Sequence, residues 1–331
     1  MNVVARAQDQ LAGHRLRLAL PEAADPRISA AAARLTREHG VRCVLIGPAE
    51  ALHKAIAREG LSIDAVDIID PDTQPPDLTL INACLSIRPD MRPSIAERLT
   101  RKPLMRAGLL VATGHADAML AGATCPTARV IEVAMMTIGL AEGVQTPSSC
   151  FLIRTDDRSE RTPRTLLFAD CAVNADPTPS ELADIALASA QTLRQLTNEQ
   201  PRIAFLSFST HGSAKHPHVD RVRTAVELAR ARAPQLAIDG ELQADAAISP
   251  RVAKTKLTTV GDVAGRANIL VFPDLDAANI AYKLVQHLGG AEALGPFLQG
   301  FAKPVSDLSR GATVDDVVRT ALVTLLRALP R

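Results

Sequence analysis

The sequence predicts an α/β fold with a largely parallel sheet, in a chain long enough for two domains. Apolar runs of strand length alternate along it with segments of helical periodicity, which is typical of this fold class. The chain has 331 residues, and a domain takes roughly 150. Apolar residues make up 47% and charged residues 22%, a composition that supports a sizeable core.

The first elements follow from turn and cap signals. The apolar run 16–20 predicts a strand, and a proline-bounded turn then leads into a helix near 28–39. Gly40 ends this helix, because glycine is favoured just beyond a helix end. The run 43–46 predicts the next strand. The segment 70–77 combines three prolines with three aspartates, which predicts a loop.

In the middle of the chain, an apolar stretch over 109–123 precedes a helix. That helix is predicted from a stripe with a period near 3.6, formed by Val130, Val133, Ala134, Thr137 and Ile138. Two strand candidates, 150–154 and 165–169, are joined by the charged segment 155–164. We expect a hairpin there, and its interruption of the βα alternation predicts the start of a second domain.

The remaining elements are predicted in the same way. Thr178 and Glu181 have the spacing of a capping box that opens a helix to 196. Further strands are predicted over 203–208, 236–238 and 268–272. The last helix follows Gly311, with Thr313 three residues before Asp316. Its apolar face comprises Val314, Val317, Val318, Ala321, Leu322 and Leu325.

Charge and composition exclude several classes of function. Lys plus Arg number 37 and Asp plus Glu 36, a formal charge of 37 − 36 = +1, which argues against a dedicated nucleic-acid binder. No apolar run approaches the roughly 18 residues of a membrane span. The first 17 residues lack the apolar stretch of a secretory signal, so we expect a cytoplasmic protein. The five cysteines include no Cys-x-x-Cys pair, which favours buried, reduced thiols.

Familiar motifs are missing. The chain has no G-x-G-x-x-G, G-x-x-x-x-G-K-[ST], H-E-x-x-H or G-x-S-x-G, which weakens the dinucleotide-binding, kinase, zinc-protease and lipase hypotheses. His211, His216 and His218 lie close in sequence to Lys215, without a carboxylate between the histidines. Because cationic charge disfavours a cation site, we expect no metal there.

The segment 303–318, KPVSDLSRGATVDDVV, carries the strongest chemical signal. Ser309 and Arg310 immediately precede the last helix, where free backbone N–H groups and the helix dipole attract an anion. A guanidinium matches phosphate oxygens in pairs. The segment is therefore a candidate phosphate site. In the alternative interpretation, Asp315 and Asp316 merely favour the helix start and Ser309 makes a local turn bond.

Seven segments together resemble the phosphate acetyltransferase (phosphotransacetylase) family. They occur in that family's order and span nearly the whole chain: LPEAADPRISAAA (20–32), ADAMLAGA (116–123), DCAVNADPTPSELADIA (170–186), LSFSTHGSAKHPHVDRV (206–222), DGELQADAA (239–247), GRANILVFPDLDAANIAYKLVQ (265–286) and GPFLQGFAKPVSDLSRGATVDDVV (295–318). The combination of PDL-x6-YK with the later KP-x-x-DLSRG is the most specific part of the match.

The resemblance implies an enzyme that transfers an acyl group between coenzyme A and inorganic phosphate. It implies two α/β/α domains of the isocitrate and isopropylmalate dehydrogenase type with a cleft between them, and a homodimer. The first domain would comprise 1–146 and 297–331, and the second 147–296. The expected partners are acetyl-CoA, phosphate and acetyl phosphate, with neither nucleic acid nor membrane. Coenzyme A would be a substrate, and no permanently bound cofactor or metal is implied.

The resemblance also implies roles for individual residues. Asp316 matches the family's base, Ser309 the polar group beside the reacting carbonyl, and Arg310 an arginine on the phosphate. The implied substrate contacts are Arg129, Thr127, Arg88, Ser207, Lys283 and Tyr282. The chain departs from the family pattern at Glu132, which occupies the position of an arginine. Arg129, one helical turn earlier, is the candidate replacement.

The implied mechanism is direct transfer in a ternary complex. The base takes the thiol proton of coenzyme A, the sulfur attacks the acyl carbonyl, and Ser309 donates to the developing oxyanion. Cys125 is disfavoured as a covalent acyl carrier, because no base lies near it in sequence. Three alternatives are phosphate butyryltransferase, a non-catalytic acyl-CoA-sensing module, and an NAD- and metal-dependent dehydrogenase, for which the metal-binding aspartates and adenine loop are not found.

Overall fold

The computed structural model describes residues 2–74, 77–156 and 163–329. The elements of the first part of the chain are α1 (Val3–Leu11), β1 (Arg17–Leu20), α2 (Pro26–His39), β2 (Arg42–Ile46), α3 (Ala49–Arg58), β3 (Asp67–Ile69), α4 (Leu78–Ile87), α5 (Pro93–Thr100), α6 (Pro103–Ala112), β4 (Ala118–Ala121) and α7 (Thr127–Thr137).

The elements of the rest of the chain are β5 (Ser148–Asp156), β6 (Pro163–Ala169), α8 (Pro179–Thr197), β7 (Arg202–Leu206), α9 (Pro217–Arg232), β8 (Ala237–Leu242), α10 (Ala244–Ile248), α11 (Pro250–Lys256), β9 (Ile269–Val271), α12 (Leu275–His287), β10 (Glu292–Gln299), β11 (Val305–Asp307) and α13 (Val314–Leu326). The predicted α/β class is confirmed.

Backbone contacts divide the chain into two compact units. The first unit comprises 2–142 and 301–331, and the second 143–300. In the first unit the strands are ordered β3-β2-β1-β4-β11, and every pair is parallel. Parallel strands place all their carboxyl ends at one edge of the sheet, which is where α/β proteins bind ligands.

The second unit has a mixed sheet ordered β10-β5-β6-β9-β7-β8. The predicted hairpin is present: β5 pairs antiparallel with β6, and β10 pairs antiparallel with β5. The other strands are parallel. The predicted connection 155–164 falls partly outside the described residues.

Local signals set several boundaries as predicted. Gly40 adopts a left-handed conformation at the end of α2, and Thr178 and Glu181 form both bonds of a capping box at the start of α8. Five of the six predicted apolar residues of α13 are buried, Val314 being half-buried. This helix packs against α1 and α2 in the first unit.

Other predicted boundaries were wrong. The strand predicted over 203–208 ends at Leu206, since the Ser207 hydroxyl accepts from the Ser209 amide at 3.2 Å and turns the chain. The apolar stretch 109–123 is two elements, the end of α6 and then β4.

Of the five cysteines, which are all free thiols, Cys125 is half-buried and the others are buried. Within the described ranges, no helix is long and apolar enough to cross a bilayer.

Candidate active site

Three neighbouring strands of the first unit end in turns that each lead into a helix. β1 leads through residues 21–25 into α2, β4 through 122–126 into α7, and β11 through 308–313 into α13. The strands are adjacent in the order β1-β4-β11. Three helix N-termini therefore lie at the same sheet edge, where unpaired N–H groups and helix dipoles favour negative charge.

The turn before α13 and the first turn of that helix carry the three residues predicted to be catalytic. Ser309, Arg310 and Asp316 are all exposed. Asp316 is the third residue of α13, and its Oδ2 accepts from the backbone N–H of Thr313 at 2.9 Å and from its hydroxyl at 2.8 Å. Both bonds fall on one carboxylate oxygen. The capping box thus fixes the direction of the carboxylate while the residue stays accessible.

The Ser309 side chain makes the local bond that its position allows. Its hydroxyl accepts from the Gly311 amide at 3.3 Å. As acceptor in that bond, the hydroxyl keeps its proton for another partner. The structure therefore contains the helix start and the local turn bond that the alternative interpretation of this segment predicted. It leaves the side chains of Ser309 and Arg310 exposed.

The turn after β4 closes around a carboxylate from the turn after β1. Glu22 Oε2 accepts from the amides of Gly122 and Ala123, both at 2.8 Å. Its Oε1 accepts from the Thr124 amide at 2.9 Å, the Thr124 hydroxyl at 2.6 Å and the Cys125 amide at 3.0 Å. Five donors thus converge on one side chain.

Arg27, at the start of α2, bonds to both of the other turns. Its Nη1 donates to the carbonyl oxygens of Arg310 at 2.7 Å and Ala312 at 3.1 Å. Its Nη2 donates to the carbonyl oxygen of Ala123 at 3.0 Å. The carboxylate of Asp25 pairs with the same guanidinium at 2.8 Å. Since that carboxylate neutralises the charge, the guanidinium acts here mainly as a multiple hydrogen-bond donor.

A buried carboxyl lies beneath these turns. Asp307, the last residue of β11, is 1% exposed. Its Oδ2 accepts from the hydroxyl of Thr127 at 2.5 Å. Burial raises the pKa of Asp307 to about 7, against the opposing effects of the Thr127 bond and the Leu308 amide. Thr127, predicted to contact substrate, is the first residue of α7 and is bonded to this carboxyl.

Arg129 and Glu132 are paired on α7. The guanidinium Nη1 lies 2.5 Å from Glu132 Oε2, and both side chains are partly exposed. Glu132, at the position where the sequence resemblance implies an arginine, therefore pairs with Arg129, the predicted substitute for that arginine. Arg88 lies just beyond α4, where its Nε is 3.9 Å from Asp90 Oδ1.

Cys125 has the surroundings of an unreactive thiol. Burial, followed by the charge of Glu22 and its hydrogen bond, raises the pKa of Cys125 to about 12. Because the thiolate is the nucleophile, these surroundings argue against a covalent acyl carrier at this position.

The other three predicted substrate contacts belong to the second unit. Ser207 follows β7 in the turn described above. Tyr282 stacks on Phe151 with ring centroids 4.2 Å apart, and burial raises the pKa of its phenol. Lys283 is exposed, donates to Asn279 Oδ1 at 2.6 Å and lies 5.6 Å from the centre of the Tyr282 ring. Tyr282 and Lys283 thus form one cluster on α12.

The structure places five of the nine predicted residues at the edge formed by β4 and β11: Ser309, Arg310, Asp316, Thr127 and Arg129. Sequence reasoning missed Glu22, Arg27 and Asp307. One signal was available, since Glu22 follows the first predicted strand directly and the carboxyl ends of parallel strands carry functional side chains. Within the described ranges, no cluster of three or more His, Cys, Asp or Glu could hold a metal ion.

Known proteins match this chain over nearly its whole length. The model of the phosphate acetyl/butaryl transferase family matches residues 2–325. A phosphate acetyltransferase of Clostridium acetobutylicum is 41% identical over 314 residues, which cover 94% of each chain. The solved structure of a phosphotransacetylase from Streptococcus pyogenes superimposes with a TM-score of 0.92 at 36% identity, covering 98% of each chain.

A more distant likeness concerns the fold alone. The 4-hydroxythreonine-4-phosphate dehydrogenase of Klebsiella pneumoniae superimposes with a TM-score of 0.53 at 13% identity, over 95% of this chain and 100% of that chain. This agrees with the dehydrogenase-like α/β architecture expected from the sequence.

Proposed function

Because this chain belongs to the phosphate acetyl/butaryl transferase family, we propose that it transfers an acetyl group between coenzyme A and inorganic phosphate. The observation that carries the proposal is that Ser309 and Arg310, on the turn before α13, and Asp316, in the first turn of α13, are all exposed at the strand edge where α7 also begins. A cation, free hydrogen-bond donors and a fixed carboxylate are the groups that this reaction needs.

The acetyl phosphate binds with its phosphate on the turn before α13. Arg310 supplies the paired donors that match phosphate oxygens, and the N-terminus of α13 supplies a favourable dipole. Thr127 and Arg129 contribute from the start of α7. Because Glu132 already pairs with Arg129, substrate phosphate competes with a carboxylate for this second cation.

Asp316 accepts the thiol proton of coenzyme A. An ordinary carboxylate and an ordinary thiol differ by about 4.6 pKa units, so a separate proton transfer would cost roughly 6 kcal/mol. Proton removal is therefore concerted with attack on the acyl carbon. The S–C bond forms while the S–H bond breaks, and Ser309 donates to the developing oxyanion. The C–O bond to phosphate then breaks and phosphate leaves.

The decisive experiment measures thioester formation from coenzyme A and acetyl phosphate. Asn can keep the capping bond through its carbonyl oxygen, so Asp316→Asn isolates the loss of the proton acceptor. We expect its kcat to fall by about 100-fold or more. Arg310→Ala should mainly raise the KM for acetyl phosphate. If Asp316→Asn keeps the wild-type kcat and Arg310→Ala keeps the wild-type KM for acetyl phosphate, the assigned roles are wrong.

Asp315→Asn is the matched control for this experiment. Asp315 precedes Asp316 in the same helical turn, and its carboxylate pairs with Arg34 at 2.5 Å. Its loss should leave turnover unchanged. Coenzyme A binding by a wild-type chain that forms no thioester would instead support the acyl-CoA-sensing module.

The acyl group is assigned as acetyl from the relatives' names, and a series from acetyl to butyryl measured as kcat/KM tests it against butyryl. The homodimer stays a proposal, supported by exposed apolar side chains at α12: Ile280 and Leu284 on the helix and Leu288 directly after it, which are 57%, 51% and 83% exposed. Sedimentation of Leu284→Glu against wild type checks it. The cytoplasmic location also stays a prediction, and we propose a role in acetate metabolism.

A further inference from the structure

We propose that Glu22 is a positioning residue for the acyl transfer: its carboxylate takes the place of an anion in the amide turn after β4 and so holds the start of α7 in its substrate-binding position. The inference rests on the proposed function for its kinetic consequences. Its structural part rests only on contacts within the first unit.

The turn 122–125 has the chemistry of an anion-binding nest. Four successive backbone N–H groups and one hydroxyl point to the same place, and all five donate to Glu22. Such nests bind phosphate or carboxylate groups in many proteins. Here a side chain 100 residues distant in sequence from Gly122 fills the nest. Substrate phosphate is therefore excluded from this turn and left to the neighbouring one, before α13.

The surrounding charges fit this role. The negative charge of Glu22 acts through space on three neighbours. The pKa of Arg27 is raised mainly by its bond to Asp25, and the pKa values of Cys125 and Asp307 are raised mainly by burial, with the charge of Glu22 adding to each. The carboxylate is half-buried. Its bonds end two residues before Thr127, which begins α7. Movement of the turn would therefore displace Thr127 and Arg129 together.

The test compares Glu22→Ala with Glu181→Ala. Glu181 is also a carboxylate that accepts a backbone N–H at a helix start, from Thr178 at 2.8 Å, but it lies in the second unit. Both variants lose a capping carboxylate. Only Glu22→Ala empties the turn after β4.

Hydrogen exchange followed by mass spectrometry gives the first readout. In Glu22→Ala the amides of 122–125 should lose protection, and added formate, a small carboxylate that fits the emptied nest, should restore it. Glu181→Ala should protect these amides as wild type does, with or without formate. Wild-type protection of 122–125 in Glu22→Ala would overturn the inference.

Kinetics give the second readout. We expect kcat/KM for acetyl phosphate to fall about 100-fold in Glu22→Ala, since displaced substrate-positioning groups have effects of this size. The loss should lie mainly in KM and be partly reversed by formate. A fall in kcat at unchanged KM, or an equal response of Glu181→Ala to formate, would mean a merely structural role and would refute the proposal.

Two further arms keep the outcomes separate. If Glu22→Ala does not fold, Glu22→Gln serves, because its amide keeps the shape, accepts through one oxygen only and places NH2 against the other donors. The same loss of protection is expected, and wild-type protection would again refute the inference. If wild type forms no thioester, the proposed function fails, and exchange with formate still decides whether Glu22 holds the turn.

Discussion

Asp307 gives a prediction that follows from burial alone. Its carboxyl is 1% exposed, and burial raises its pKa from 3.8 to about 7. The folded chain therefore binds this proton more tightly than the unfolded chain does. Stability is unaffected by this group below about pH 4, falls as pH rises between the unfolded and folded pKa values, and levels off above about pH 7.

The magnitude follows from the shift. A difference of about 3 pKa units corresponds to roughly 4 kcal/mol of destabilisation once the carboxyl is ionised in both states. About 2–3 kcal/mol of this develops between pH 5 and pH 8. Asp307→Asn removes the ionisation and keeps an acceptor for the Thr127 hydroxyl. The variant should therefore gain stability over wild type by this amount when pH is raised from 5 to 8.

Urea unfolding of wild type and Asp307→Asn at both pH values measures the free energies. The relevant quantity is the difference in free energy of unfolding between the two proteins at pH 8 minus the same difference at pH 5. The contributions of other titrating groups are the same in both proteins and cancel. Asp9→Asn, an exposed aspartate on α1, is the matched control and should show no such change. A pH-independent difference for Asp307→Asn would show that the carboxyl is not held neutral by burial.

Three further predictions concern the same sheet edge. Arg27→Ala should lower the free energy of unfolding by about 2–3 kcal/mol, because it loses three hydrogen bonds to backbone carbonyls. Arg37→Ala, from the same helix, is the control: it loses a single bond to a carbonyl and should lower the free energy of unfolding by about 1 kcal/mol or less. Urea unfolding measures both. Cys125 should react with a thiol reagent at pH 8 roughly 1,000-fold more slowly than a free thiol, and Cys125→Ser should keep its turnover. Gly122 has a φ of +106°, and a Cβ there would lie 2.1 Å from the Asp307 carboxylate, so Gly122→Ala should be destabilised by about 2 kcal/mol or more, seen as a lower melting temperature.

Helices, strands and boundaries that depend on nearby residues could be predicted from the sequence. The capping boxes at α8 and α13, the glycine that ends α2 and the hairpin of β5 and β6 all depend on residues within a few positions or on simple alternation. β10 was missed because Gly295 and Pro296 interrupt its pattern. The structure accommodates them with a shift of register between Leu294 and Phe297.

The candidate site likewise has a part that local sequence signals could predict and a part that they could not. Ser309, Arg310 and Asp316 lie within eight consecutive residues and could be proposed from one segment, with the family resemblance giving their roles. The bonds that organise the site join residues far apart, with separations of 100 positions for Glu22 to Gly122, 283 for Arg27 to Arg310 and 180 for Thr127 to Asp307. No periodicity or spacing rule reaches such distances, because they depend on which strands become neighbours in the sheet.

The charge of the site explains why so many carboxylates are compatible with a dianionic substrate. Glu22 is bound by five donors, and Asp25 is paired with Arg27. Burial favours the neutral form of Asp307. Asp316 is then the carboxylate at this edge that is exposed without a cation bound to it in the described structure. In the proposed reaction, a phosphate bound to Arg310 would therefore meet the repulsion of one carboxylate, that of Asp316, the proposed base.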